Sequence, residues 1–198
     1  YHTCCIVAKE LTDKYPQRKI RCVDSRRYCG AEALLLSRAS ELRAAGKTLD
    51  ETADWLEANR LRVRQMGVLE DLFFCKRMGR VSGTAAVMGT LVGIRPLADL
   101  GEDGLSAPVG KARGAKAALN ATIEYVRRTV EEPEKQIFFI SHSVRMEQAL
   151  AMKALLEENL HPREVIITSV SQSCGASTGP GLYAVYYLGR ELSAEAQK

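Results

Sequence analysis

The chain has 198 residues, of which 46% are hydrophobic and 6% aromatic. It is long enough to bury an aliphatic core, and it has too few aromatic residues for a surface that stacks single-stranded bases. Its 28 basic and 24 acidic residues give a net charge of +4. This balance lacks the strong basic bias of duplex-DNA-binding proteins, so we expect no nucleic-acid partner.

The first third of the chain predicts helices around one short strand. Residues Tyr1–Leu11 have a helical apolar pattern but nothing before them to cap the helix, so we expect the chain to start within a domain. The apolar run Lys19–Ser25 predicts a strand, and Ala31–Ala44 predicts a second helix. Thr48 and Glu51 have capping-box spacing, which predicts the start of a third helix.

The rest of the chain alternates strands with helices. Leu91–Pro96 predicts a strand that stops at the proline, Ser106–Val109 a short extended piece and Arg113–Val130 a long helix. Further strands are predicted at Gln136–Ile140, Glu164–Thr168 and Leu182–Leu188, with a helix from Met146 to Ala154 after the first of them. Continuous apolar strands between helices are typical of a sheet covered on both faces, so we predict an α/β fold.

The cysteines and histidines do not form a recognisable pattern. Six cysteines and three histidines are scattered along the chain without Cys-x-x-Cys spacing. A disulfide framework is unusual in a chain of this length, and zinc needs clustered ligands. We therefore expect reduced thiols in a cytoplasmic protein without a metal site. No apolar run reaches the about 20 residues of a membrane span, so we also expect no stable membrane insertion.

Two segments match known motifs only in part. Gly175–Gly179 has the G-x-S-x-G pattern of serine hydrolases, but no histidine comes after His161 and Pro180 follows the motif directly. We interpret the segment as a small-residue loop, either a tight turn or a cradle of backbone N–H groups for an anion. Gly104–Lys111 is one residue too long for a phosphate-binding P-loop, and Ala112 stands where that loop requires a hydroxyl.

Three basic residues and one histidine are candidates for binding or catalysis. Arg80 lies between small residues, a setting that suits a carboxylate or phosphate as well as loop carbonyl groups. Lys111 and Arg113 lie near a predicted helix start, where cations oppose the helix dipole, so either an anion offsets them or they form a solvated surface. His142 follows an apolar strand and is either an acid–base group or a hydrogen-bonded structural histidine.

Several segments resemble, in order and context, the motifs of DegV family proteins. The opening Tyr1–Thr3 is similar to the continuation of that family's Ser-Gly-Thr-Tyr motif. The resemblance extends to about Arg190 and rests on Cys22–Ser25, Arg77–Ser82, Gly93–Pro96, Lys111–Leu119 and Thr178–Gly181. It implies a two-domain α/β fold: residues 1–66 would be the remainder of a first domain that is incomplete at its N-terminus, and residues 67–198 the second domain.

The resemblance also implies a function. Proteins of this family bind one long-chain fatty acid between their domains, and some carry it for a fatty acid kinase that phosphorylates its carboxylate. The chain would then be a lipid-binding carrier and not an enzyme, with the fatty acid as ligand and no cofactor. By the resemblance Arg80 faces the carboxylate, and Ser177 replaces a family histidine beside Thr178. Aliphatic residues near the glycine-rich stretch, Val81, Met88 and Ile94, would either contact the acyl tail or belong to an ordinary core. Lys111 and Arg113 would form a basic surface for the kinase or ATP phosphates.

Two other functions stay open. A phosphotransfer or substrate-binding subunit of a dihydroxyacetone-kinase-like enzyme would attach its substrate covalently, and His142 is the candidate for that bond. A regulatory interaction module would instead have a filled interior in place of a lipid tunnel.

Overall fold

The computed structural model describes residues 1–70, 74, 77–79 and 93–191. Its strands within these residues are β1 (Val63–Val68), β2 (Ile94–Leu100), β3 (Ser106–Arg113), β4 (Ile137–His142), β5 (Glu164–Ser169) and β6 (Tyr183–Leu188). They form one sheet in the order β3-β2-β1-β6-β4-β5. Strands β4 and β5 are parallel, and every other neighbouring pair of these strands is antiparallel.

The helices of the described residues are α1 (His2–Lys14), α2 (Gly30–Ala44), α3 (Leu49–Asn59), α4 (Ala115–Thr129), α5 (Met146–Leu160) and α6 (Gln172–Thr178). Two short 3₁₀ turns, Arg60–Arg62 and Pro133–Lys135, precede β1 and β4. In the part of the chain that the structure describes, no helix combines the length and the apolar character that crossing a membrane requires.

Helices cover both faces of the sheet, as the continuous apolar strands predict. On one face α2 buries Ala31 and Leu34 against a cluster that includes Tyr186 of β6. On the other face Val126 of α4 and Met152 of α5 are fully buried in a second cluster. The predicted α/β class is therefore confirmed, in a sheet of mixed strand direction.

The predicted capping box at the start of α3 is also confirmed. The Thr48 hydroxyl accepts the backbone N–H of Glu51 at 3.2 Å, and the Glu51 carboxylate accepts the backbone N–H of Thr48 at 2.9 Å. These bonds, together with the ammonium group of Lys47, lower the pKa of Glu51 to about 2. Two N–H groups that the helix itself leaves without partners are thereby satisfied.

The prediction of a strand at Lys19–Ser25 is wrong. The segment has no regular secondary structure, and no strand of the described residues pairs with its backbone. Its arginine, Arg21, instead donates to the carboxylates of Asp50 and Asp54 on α3 at 3.0 and 2.9 Å. An apolar run becomes a strand only when a neighbouring strand supplies backbone partners.

Strand β2 continues through Pro96, where the sequence predicts its end. The Pro96 carbonyl accepts the backbone N–H of Leu69 at 3.3 Å, and the strand continues to Leu100. The pairing of β2 with β3 shifts register between Leu97 and Ala98, directly after the proline. Such an irregularity lets a sheet accept a residue that has no N–H to donate.

The predicted boundary between residues 66 and 67 falls within β1. All six residues of that strand pair with β6, and α2, from the predicted first domain, packs against β4 and β6. The division of the chain into residues 1–66 and 67–198 stays a prediction.

A buried ion pair joins β1 to β2. The side chains of Arg64 and Asp99 are 3% and 1% exposed, and Arg64 Nε donates to the Asp99 carboxylate at 2.7 Å. The same carboxylate accepts the Tyr125 hydroxyl at 2.6 Å and the backbone N–H groups of Gln65 and Leu100 at 2.8 and 2.7 Å. Burial, with the Asp99 charge, raises the pKa of Tyr125. Asp99 thus satisfies four donor residues in the core.

Candidate functional site

The segment predicted as a glycine-rich loop is instead a short helix, α6. Ser171 caps it by accepting the backbone N–H of Cys174, and Gly179, at φ +74°, ends it. The Ser177 and Thr178 hydroxyls donate to backbone carbonyls one turn earlier, at 3.4 and 3.0 Å. These local bonds let small hydroxyl residues occupy a helix, so the segment is neither a tight turn nor a cradle of free N–H groups.

A cavity of about 340 Å³ lies beside α6. Its walls combine aromatic, aliphatic, thiol and hydroxyl groups; they are formed by Tyr28, Gly104, Leu105, Ser173, Cys174, Ser177 and Thr178. The volume lies within the range of small-molecule sites, which are mostly apolar with a few polar groups that orient the ligand. The arrangement suits an amphiphile that has an apolar body and a polar head.

The hydroxyl of Tyr186, a residue that packs against α2, shows how apolar the interior near the cavity is. Burial raises the pKa of Tyr186 well above its ordinary value, and the neighbouring thiols of Cys29 and Cys174 add to the rise. Cys174 also lines the cavity, and the hydroxyl of Tyr28 on the opposite wall is within 2.9 Å of the Ser106 hydroxyl. This hydrogen bond holds the Tyr28 ring in place.

The loop after α6 explains two glycines of the Thr178–Gly181 motif. Gly179 and Gly181 have φ values of +74° and +94°, which other residues adopt only with strain. A Cβ atom would lie 2.9 Å from the Phe74 ring at the first position and 2.7 Å from the Glu70 carboxylate at the second. The motif therefore packs the loop directly against the residues that follow β1.

The structure brings together two of the six predicted ligand residues. Ser177 and Thr178 line the cavity, whereas Ile94 begins β2 opposite Arg113 of β3 and is not part of the cavity wall. The other three, Arg80, Val81 and Met88, lie outside the described residues.

The two basic residues assigned to a partner lie at the end of edge strand β3, just before α4. Lys111 and Arg113 are exposed on β3, and α4 begins only at Ala115, after Gly114 at φ +84°. Residues two apart on a strand lie on the same face, so both side chains extend to the same side of the sheet edge. Arg113 directly precedes Gly114, the N-cap of α4, so it lies near the helix start as predicted, and Lys111 lies two residues further back on the strand.

His142 is the last residue of β4 and is 7% exposed. Its Nδ1 accepts the backbone N–H of Arg145 at 3.1 Å, which fixes the turn into α5. This is the bond expected of a structural histidine. Among the described residues, no group of three or more histidine, cysteine or acidic side chains is arranged to hold a metal ion.

Sequence reasoning missed a cluster of charged residues near the loop after α6. Glu70 forms ion pairs with Arg95 and Arg145, and its side chain is only 16% exposed. One signal was present in the sequence, since Arg95 stands inside a predicted apolar strand, where a charge needs a partner.

Comparisons with known proteins agree with this fold. A family model described as "Uncharacterised protein, DegV family" matches residues 1–190. A DegV domain-containing protein of Clostridium perfringens is 31% identical over 189 residues, which cover 96% of this chain and 65% of that protein. The chain therefore spans about 65% of the length of this relative.

Two solved structures show the same fold. One is described as fatty acid binding of a DegV family protein from Thermus thermophilus; its TM-score is 0.78 and its identity 26%, over 91% of this chain and 65% of that one. The other is the Fatty Acid Kinase B3 protein of Streptococcus pneumoniae loaded with linoleic acid, with a TM-score of 0.82 and 19% identity over 96% and 67% of the two chains. The family match over residues 1–190 confirms the motif resemblance: the chain belongs to the DegV family.

Proposed function

We propose that this chain binds a long-chain fatty acid, with its carboxylate toward Ser177 and Thr178. Their hydroxyls would turn from the helix carbonyls of Ser173 and Cys174 to donate to it. The observation that carries the proposal is the cavity beside α6, which places these two residues on a largely apolar wall. Arg80 would neutralise the carboxylate, with Val81 and Met88 along the tail; Ile94, which lies in β2 away from the cavity wall, has no part in this proposal. Two structural relatives bear the name of fatty-acid-binding proteins or hold linoleic acid.

The tail would supply most of the binding free energy. Each methylene group that leaves water contributes about 0.8 kcal/mol, so a tail of a dozen carbons needs few polar contacts. Leu105, Tyr28 and Cys174 offer such apolar surface in the cavity. The polar contacts then fix the position of the head group more than they determine the affinity.

In this proposal the protein is a cytoplasmic carrier that presents the carboxylate to a partner kinase, and it performs no chemistry alone. The exposed Lys111 and Arg113 on edge strand β3 would receive that partner. The structural similarity of this chain to the Fatty Acid Kinase B3 protein supports this part of the proposal. His142 serves the fold in this account, and nothing in its contacts favours a covalent substrate bond.

The first test is chemical. The purified chain, expressed in cells that contain abundant lipid, is extracted with organic solvent and the extract is measured by mass spectrometry. We expect about one fatty acid per chain, because a largely apolar cavity retains such a ligand through purification. An extract without fatty acid, from protein that is folded by circular dichroism, contradicts the proposal.

The second test restores the charge that the family histidine would supply. We expect Ser177→His to bind fatty acid about tenfold more tightly at pH 6, since a hydrogen bond to an ionised group adds about 1.5 kcal/mol. Affinity is measured by displacement of a fluorescent fatty acid.

The matched control is Ser173→His, one turn earlier on α6 and on the same cavity wall. It introduces the same side chain away from the proposed head-group position, and we expect little change in affinity. Equal effects of the two substitutions would show that Ser177 has no special place at the head group.

A further inference from the structure

A second polar site lies at the end of the sheet where β1 and β4 finish and β6 begins. It consists of Glu70, Arg95, His142, Arg145 and Tyr183, which we call the Glu70 cluster. None of these residues lines the cavity beside α6. The cluster lies on the sheet face that α4 and α5 cover, because Tyr183 belongs to the hydrophobic cluster of that face.

The Glu70 cluster carries an excess of positive charge. The Glu70 carboxylate accepts from Arg145 Nε at 3.1 Å and lies 3.3 Å from Arg95 Nη1. One carboxylate thus faces two guanidinium groups. Burial raises the pKa of Tyr183, Glu70 adds to the rise, and the two arginines oppose it, so all three charges act on the tyrosine hydroxyl.

Three buried polar atoms of the cluster have no hydrogen-bond partner among the described residues: Arg95 Nε, His142 Nε2 and the Tyr183 hydroxyl. His142 and Tyr183 are more than nine-tenths buried. Because His142 Nδ1 accepts the backbone N–H of Arg145, the neutral ring carries its proton on Nε2. All three atoms can therefore donate a hydrogen bond.

Strand pairing brings these donors to one place. Tyr183 lies directly opposite His142 in the pairing of β4 with β6. Opposed residues of neighbouring strands lie on the same face, with Cβ atoms about 5 Å apart. Arg95 is two residues from Leu97, which packs in the same hydrophobic cluster as Tyr183, so its side chain lies on this face as well. The ion pair of Arg95 with Glu70 places it within the cluster.

Buried donors in folded proteins nearly always have an acceptor, and a group of unpaired ones indicates an ion or ligand. A negative acceptor suits the cluster best, because the charges already present sum to a positive value and all three unpaired atoms can donate. Several donors converging beside guanidinium groups are the usual surroundings of phosphate and carboxylate oxygens.

We propose that the Glu70 cluster binds a small oxyanion, with Arg95 Nε, His142 Nε2 and the Tyr183 hydroxyl as its donors. A phosphate group is the better match, since its several oxygens accept from three directions, whereas a carboxylate has two oxygens in one plane. The site is separate from the fatty-acid cavity, and the proposal does not depend on the proposed function.

The test measures the thermal midpoint of unfolding of the chain in increasing sodium phosphate, with sodium chloride at equal ionic strength as reference. A ligand that binds only the folded state raises the midpoint in proportion to its occupancy, which yields an affinity. We expect a phosphate-specific rise for the wild type. Tyr183→Phe should weaken the affinity about tenfold, because one hydrogen bond to an anion is lost.

Tyr186→Phe is the matched control, since Tyr186 is on the same strand with an equally buried and unpartnered hydroxyl, but on the opposite face. Its phosphate affinity should equal that of the wild type. Arg95→Lys keeps the charge but removes the Nε donor, and it should also bind more weakly. This variant is the alternative test if Tyr183→Phe does not fold, because Arg95 is 33% exposed.

A wild type without a phosphate-specific rise would overturn the proposal. Equal affinities of the wild type, Tyr183→Phe and Arg95→Lys would overturn it as well. The same titration with sodium acetate distinguishes a phosphate ligand from a carboxylate ligand. A rise with phosphate alone identifies a phosphate site, and an equal rise with acetate identifies a carboxylate site at the same donors.

Discussion

Replacing Asp99 with asparagine should lower the free energy of unfolding by about 3–5 kcal/mol. The change keeps the side chain's shape and one carbonyl oxygen, but it leaves the Arg64 guanidinium, which is 3% exposed, without its counter-charge. Removing one partner of a buried ion pair is costly for this reason. The loss would be a large part of a total stability of about 5–15 kcal/mol. Urea unfolding of the two proteins measures it directly.

Glu124→Gln is the matched control for this substitution. It removes the carboxylate that pairs with Arg127 at 2.9 Å, but both side chains are about half exposed. Exposed pairs contribute about 0.5 kcal/mol or less, so the control should remain close to the wild type. If Asp99→Asn were equally mild, the buried pair would not anchor β1 to β2.

Gly67→Ala should destabilise the chain by about 3 kcal/mol or more, although it adds a single methyl group. The new Cβ atom would lie 2.3 Å from the Tyr183 carbonyl oxygen and 2.5 Å from the Ala184 Cα atom. These are backbone atoms of the central strand β6, which cannot move aside as a side chain can. Overpacking of this kind usually costs 1–3 kcal/mol, and a clash with backbone lies at the upper end.

The control is another glycine of the same sheet, Gly110 in β3. A Cβ atom there would meet only a methyl group of Leu97, at 3.8 Å. Gly110→Ala should therefore be neutral or slightly stabilising, because alanine loses less backbone entropy on folding. Similar urea midpoints for both alanine variants would contradict the clash at Gly67.

Much of the fold could be predicted from the sequence where it depends on residues that are close together in the chain. The α3 capping box needs only Thr48 and Glu51, and the α/β class needs only apolar strands between helices. The failures depend on distant partners. Lys19–Ser25 has the composition of a strand, but no strand of the described residues pairs with it. Pro96 stays in β2, opposite Lys111, and the register shifts only between Leu97 and Ala98.

The candidate site was predictable to a smaller extent. The motif at Thr178–Gly181 lies beside a cavity, and Ser177 and Thr178 share its wall. The opposite wall could not be found from sequence, since Tyr28 and Leu105 reach α6 only through the fold. The same is true of Glu70 and its arginines, which the sequence separates by tens of residues.

The central position of β1 also determines when this protein can complete its folding. Val63 of β1 pairs with Leu188 of β6, so the middle of the sheet joins residues from distant parts of the chain. Pairings between residues so far apart form slowly. During synthesis α2 emerges well before Tyr186, the buried ring against which it packs. The partly synthesised chain thus exposes apolar surface that the complete sheet covers. This state is the one in which the protein is most prone to aggregate.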